Sequence, residues 1–240
     1  MLREITSHRN CNRTNRVDGA EPATTSRMSL LPADDQLELL HTRDYSVRVY
    51  LLDDTHVLVR GVVSDVKPPG LYVTDDVEPL EIHQMHVELT VELSTMEITA
   101  AEVVFETHPN ETCPSIADHY RQLVGLTIAR GFTHRVRELF GGPRGCTHTT
   151  ALLQAMAPAV VQSTWSVHVR SLREAGGHTG EIDGAARERQ VAGNINTCHV
   201  WAEDGEHVTR LQAGEPPPPL LQIASRLEKL GRDPSDWPGG

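Results

Sequence analysis

The sequence predicts an α+β fold: an antiparallel sheet of about four strands covered by three helices, with a small hairpin late in the chain. Three observations predict it. Between Tyr45 and Thr107 the apolar residues recur with period two, as in half-buried strands. After Thr107 the period becomes helical. Strands first and helices after is the α+β order. Aromatic residues are only 4% of the chain, so the core must be built mostly from Val, Leu, Ile and Ala.

Residues 1 to about 38 are polar, with few apolar side chains before Leu30-Leu31. Such a segment cannot bury enough surface to offset its ordering entropy, so it reads as a disordered arm in which Cys11 is incidental. Tyr45 to Leu51 is the first strand, and Asp53-Asp54-Thr55-His56 a turn. Val57 to Lys67 follows, with Val57, Val59, Gly61, Val63 and Asp65 on one side; Pro68-Pro69-Gly70 stops it. From His83 to Leu93, Met85, Val87, Leu89, Val91 and Leu93 share a face, and His86, Glu88, Thr90 and Glu92 the other. Ser94-Thr95 turns the chain into a fourth strand, Glu97 to Thr107.

Pro114 suits the first turn of a helix carrying Ile116, Tyr120, Leu123 and Val124, weakened at Gly125 and ended at Gly131. Phe132, Val136, Leu139 and Phe140 give a short second helix. Residues 141 to 148 hold three glycines, a proline, a cysteine and a histidine. They lead into a third helix marked by Leu152, Met156, Ala159 and Val160, bent or broken at Pro158. Residues 174 to 193 read as a charged, glycine-rich loop, and 196 to 211 as a hairpin turning at Asp204-Gly205. A proline-rich linker and a short amphipathic helix with Leu220, Ile223, Leu227 and Leu230 end the pattern. The expected plan is an arm over 1–38, a single α+β domain over 39–211, and linker plus C-terminal helix over 212–240.

Lys+Arg is 22 and Asp+Glu 33, for a formal net charge of −11. An acidic chain without a basic block lacks the footprint of a nucleic-acid binder and the polybasic segment of a membrane-surface binder. No apolar run approaches the roughly 20 residues that span a bilayer, and no secretory signal opens the chain. The four cysteines form no CxxC pair. A reducing, cytoplasmic setting is expected.

Cys113 and Cys146 each fall at or just before a helix start, where unpaired N–H groups and the macrodipole favour an anion such as a thiolate. With Cys146 in the loop and His148 in the first helical turn, both approach one ion; the competing reading is a small buried thiol and a surface imidazole. Cys198-His199 is read on a strand, so only one of the two joins a shared site, and a plain apolar cysteine competes. Asp65 ends an inward row, which costs free energy unless the carboxylate is paired or ligated; the competing reading is that the strand has emerged into solvent. His86 lies opposite its strand's apolar face, where a surface histidine beside Glu88 is the competing reading. Thiols, imidazoles and a carboxylate together bind Zn²⁺ or hold an iron–sulfur cluster. The candidate metal set is therefore Cys113, Cys146, His148, Cys198, Asp65 and His86. No GxSxG elbow, P-loop or GxGxxG is present.

In order, Val63-Ser64-Asp65-Val66-Lys67-Pro68, Thr112-Cys113-Pro114, Leu123-Val124-Gly125-Leu126, Gly131-Phe132-Thr133, Gly145-Cys146-Thr147-His148 and Thr197-Cys198-His199 resemble a bacterial family, domain of unknown function 2889, over roughly residues 41 to 211. Thr149-Thr150 depart from its usual leucine and polar residue, at a helix-packing position. The resemblance implies no activity but draws attention to the six candidate residues. The layout is also similar, remotely, to U-type iron–sulfur scaffold proteins, in which Cys113 and Cys146 would match two of three cluster cysteines; no cysteine stands at the third place, near Lys67 to Gly70. Three functions follow. The first is a Cys/His metal- or iron–sulfur-binding module. The second is a thiol-dependent enzyme or small-molecule-binding protein, with Cys146 as nucleophile, His148 or His86 as base and Asp65 orienting. The third is a structural or interaction protein whose glycine loop only turns the chain.

Overall fold

The alternating stretches fold as β1 (Thr42–Leu51), β2 (His56–Lys67), β3 (Leu80–Glu92) and β4 (Glu97–Thr107). In the computed structural model these four pair antiparallel in the order β1-β2-β3-β4. The chain divides into two units, Met1–Glu38 and Leu39–Gly240, and every element among the described residues lies in the second. The structure describes residues 31, 36–174, 176, 191–215 and 220–233. Almost all of the expected arm, most of the loop expected over 174–193 and residues 216–219 lie outside them.

One face of the sheet carries the core. Val57, Val59, Val63, Met85, Val87, Leu89, Val91 and Ile98 are buried on it. The cover is a 3-10 segment (Cys113–Leu123), α1 (Phe132–Phe140) and the long α2 (Thr147–Glu174). Tyr120, Leu123, Phe132, Val136, Phe140, Leu152, Leu153, Met156 and Val160 are their buried side chains. The other face is polar or half-exposed, as an antiparallel sheet allows.

Three expectations are corrected. The first helix does not run to Gly131. It is a 3-10 segment ending at Leu123, and Gly125 turns the chain at φ 86°. The backbone then bonds to the start of β4: the Ile98 N–H donates to the Leu126 carbonyl, and the Gly125 N–H to that of Ile98. Pro158 does not break the third helix, since α2 continues through it to Glu174. The ring stands on the exposed side, while Leu152, Leu153, Met156, Ala157 and Val160 hold both halves to the core.

The late hairpin is absent. Its residues form a 3-10 turn (His199–Trp201) and α3 (Glu206–Gln212). Asp204-Gly205 is a helix entry: the Thr209 N–H donates to the Gly205 carbonyl, Glu206 supplies acid in the first turn, and Val208 is buried. Downstream, α4 (Leu221–Lys229) is the expected amphipathic helix, with Leu227 buried. Among the described residues no helix is long and apolar enough to cross a membrane.

The sheet and α2 approach closely at Gly61, where an added Cβ would lie 2.7 Å from Met156 Sδ and 3.1 Å from Leu152 Cδ1. Gly61→Ala is therefore expected to destabilise the fold by roughly 1–3 kcal/mol through overpacking. A lower urea midpoint at unchanged slope is the measurement; an unchanged midpoint would show that α2 does not sit this close.

Candidate functional site

Strand register places the first three groups. Arg43 on β1 is opposite Asp65 on β2, and Asp65 is opposite His83 on β3. Directly opposed residues share a face, so these three form one row across three strands. It is the last row of the core side, continuing Val59, Gly61 and Val63 along β2. The β2–β3 register shifts between Asp65 and Val66, so regular pairing breaks just past the row. His148, second residue of α2, reaches the row from the covering layer.

Asp65 is buried, with 2% of its surface exposed. Its charge is matched by donors on both oxygens. Arg43 donates through Nε to Oδ1 and through Nη2 to Oδ2, each at 2.6 Å. His83 Nδ1 and His148 Nε2 each lie 3.0 Å from Oδ2, and His41 Nε2 is 3.4 Å from an oxygen of the same carboxylate. Burial by itself pushes the carboxyl pKa up, but the Arg43 guanidinium, helped by His148 and His41, holds it at about 2. Arg43 is shifted further upward by the same pair.

An ionised carboxylate only accepts hydrogen bonds, so the ring nitrogens facing it carry the protons. His83 donates from Nδ1 and His148 from Nε2. The Nδ1 lone pair of neutral His148 is then left facing Cys146, whose Sγ is 3.6 Å away. Burial lowers the His148 pKa below its ordinary value, the neighbouring His83 ring and the Arg43 guanidinium add to this, and Asp65 opposes without reversing it. The ring is thus neutral at neutral pH. It stacks on His83 with centroids 3.9 Å apart and planes at 29°.

The thiol is fixed through its backbone. The Cys146 N–H donates to Tyr120 Oη at 2.7 Å, and the Tyr120 hydroxyl donates to the Cys146 carbonyl at 3.4 Å. The same carbonyl accepts the Thr150 N–H at 2.9 Å, which makes Cys146 the N-cap of α2. Tyr120 in turn stacks on Phe140, centroids 4.7 Å apart. At Gly145 a Cβ would meet the Phe140 carbonyl oxygen at 2.5 Å and Tyr120 Oη at 3.0 Å, so only glycine passes here. Thr149 and Thr150 are both buried in the first turn of α2.

Of the six residues singled out in the sequence, the structure brings Asp65 and His148 together and sets Cys146 against His148. The other three lie elsewhere. Cys113 begins the 3-10 segment and packs, half-buried, against the hydrophobic core. Cys198 is exposed, in the bend before His199–Trp201 rather than on a strand. His86 is exposed on the outer sheet face, its Nε2 3.2 Å from Gln84 Oε1. Among the described residues the group that brings three His, Cys, Asp or Glu ligand atoms within 4.8 Å of one another is Asp65, His83 and His148. Among the described residues no cysteine joins this group. His83, Arg43 and His41 were not singled out in the sequence. The signal was in the hairpin: counting back from the Leu51–Val57 pair that closes the turn lands on Arg43 opposite Asp65.

A family model described as protein of unknown function (DUF2889) matches residues 41–162. The match includes the whole row, Cys146 and His148, and stops short of Thr197-Cys198-His199. No curated protein and no solved structure matches the chain, so the scaffold likeness finds no support.

Asp65 titrates at about 2 in the fold against an ordinary 3.8. A depressed carboxyl stabilises the fold above its unfolded pKa and loses that contribution as pH falls through the folded value; the difference is on the order of 2 kcal/mol. Asp65→Asn is expected to lower stability at neutral pH, with the gap to wild type narrowing as pH falls from about 4 towards 2. Urea melts at stepped pH measure it; a gap independent of pH would mean Asp65 is not the ionised partner of Arg43.

Proposed function

This chain belongs to the DUF2889 family, whose description assigns no activity, and on that premise we propose a thiol-dependent catalytic site: Cys146 is the nucleophile, His148 its base and Asp65 the carboxylate that orients the base. The observation that carries this reading is one continuous line, Cys146 Sγ to His148 Nδ1 at 3.6 Å and His148 Nε2 to Asp65 Oδ2 at 3.0 Å. A nucleophile within hydrogen-bond reach of a base, itself oriented by a third group, is the arrangement that activates a weak nucleophile.

His148 takes the thiol proton on Nδ1 while its Nε2–H stays on Asp65. The imidazolium so formed faces a carboxylate that remains ionised. The thiolate sits at the N-cap of α2, where the first-turn N–H groups lack intrahelical partners and favour developing negative charge. A carbonyl substrate suits this geometry. The thiolate adds to the carbonyl carbon, and the oxyanion collapses to expel a leaving group that takes the proton from His148. The resulting thioester is then resolved by water or another acceptor. Arg43 keeps Asp65 ionised and oriented, and His83 stacks on the base.

Site-resolved alkylation by iodoacetamide tests the reading. Cys146 is expected to react faster at neutral pH than exposed Cys198, and His148→Gln to slow it on the order of 10-fold or more. Equal rates at the two cysteines, indifferent to His148→Gln, would sink the proposal.

A further inference from the structure

We propose that Asp65, His83 and His148 also form a site for a divalent transition metal of the zinc type, and that loading it withdraws the base from Cys146. The second half rests on the thiol reading; the first does not. Two imidazoles and one carboxylate are a common donor set for zinc with an open position, bound at about 2.0–2.2 Å. Ligand atoms around such an ion stand about 3.3 Å apart in tetrahedral geometry. His83 Nδ1 and His148 Nε2 are each 3.0 Å from Asp65 Oδ2, so these two edges need open by only a few tenths of an ångström, and all three ligand atoms lie within 4.8 Å of one another. His41, with Nε2 3.4 Å from Oδ1 of the same carboxylate and over a third exposed, lies next to this group.

The protons balance. Each ring now carries its proton on the nitrogen that faces Asp65. Metal binding there moves the His83 proton to Nε2 and the His148 proton to Nδ1, with no change in total. On His148 the edge facing Cys146 thereby turns from acceptor to donor, and the thiol loses its base. Metal loading and thiol chemistry are alternatives at one imidazole.

Arg43 opposes the cation, because it occupies both oxygens of the only carboxylate in the cluster. It is also 37% exposed on strand β1 at the edge of the sheet. Its Nη2 can leave Oδ2 to the metal while Nε keeps Oδ1. Wild-type affinity is therefore held down by Arg43, a signature that an adventitious surface site does not share.

Co²⁺ followed by visible spectroscopy, and Zn²⁺ by titration calorimetry, test the site on the full-length protein freed of metal by EDTA. One ion per chain is expected. His83→Gln should weaken binding by at least about 10-fold, Cys146→Ala should leave it intact, and Arg43→Gln should tighten it, with thermal melts confirming that each variant folds. No binding by either wild type or Arg43→Gln overturns the site. So does binding abolished by Cys146→Ala but untouched by His83→Gln, which would make cysteines the ligands. Alkylation of Cys146 with and without Zn²⁺ reads the second half: slowing supports the switch, and an unchanged rate with metal bound overturns it. A Cys146 that is inert without metal counts against the thiol reading alone, since binding has its own readout.

Discussion

A carboxylate buried beneath a helix is the constraint on which this structure depends. Asp65 has no access to water worth the name, and an ion so placed is tolerated only when donors replace its hydration. The donors come from four places in the chain: the approach to β1, β1 itself, β3 and the first turn of α2. Each must arrive within about 3 Å, and this couples strand register to helix placement. A one-residue slip of β1 or β3 would turn Arg43 or His83 to the outer face and leave the charge unpaired. The ion pair contributes specificity of register more surely than it contributes stability, because desolvation offsets much of its Coulombic gain.

Above the row, the covering layer is fixed by a second device that uses no charge. Tyr120 brackets the Cys146 backbone from both sides, Phe140 supports Tyr120, and Gly145 gives the room for all three to meet. This clamp sets where α2 begins, and so sets where His148 stands over the sheet. Charge below and packing above converge on one imidazole. His148 is held from Nε2 by Asp65 and across its face by His83, which leaves Nδ1 and its neighbouring thiol as the part of the cluster not committed to holding the fold.

The strands were legible because burial on one face imposes period two, and the buried residues Val57, Val59 and Val63 of β2 and Met85, Val87, Leu89 and Val91 of β3 fall on alternate positions. Asp65 was legible as an inward residue from that same alternation, and the Gly145-to-His148 stretch from its composition. What stayed hidden depended on pairing. His83 and Arg43 belong to the site only through register, and each reads alone as an ordinary polar residue near a strand end. Local geometry hid the rest. Leu123-Val124-Gly125 fits an α-helix by spacing, yet the left-handed glycine and the bonds from residues 125 and 126 back to Ile98 end a 3-10 segment there. Asp204-Gly205 is as good a helix entry as a hairpin turn, and the buried Val208 decides between them. Cysteine spacing gave no sign that Cys113 packs against the core while Cys198 faces water.

An imidazole has two nitrogens and, when neutral, one proton, and this turns a structural arrangement into a chemical one. In a purely structural pair the position of that proton is of no consequence so long as Asp65 receives a donor. Here the choice is forced: Asp65 stays ionised well below neutral pH, so Nε2 must donate and Nδ1 must accept. The acceptor that results faces a thiol at a helix N-cap, the one neighbour for which an accepting nitrogen has a chemical consequence. Arg43 has its part in this without touching Cys146, because by keeping the carboxylate ionised it fixes the tautomer two groups away. The ion pair that sets the register of the sheet thus also sets the direction in which a proton can leave Cys146.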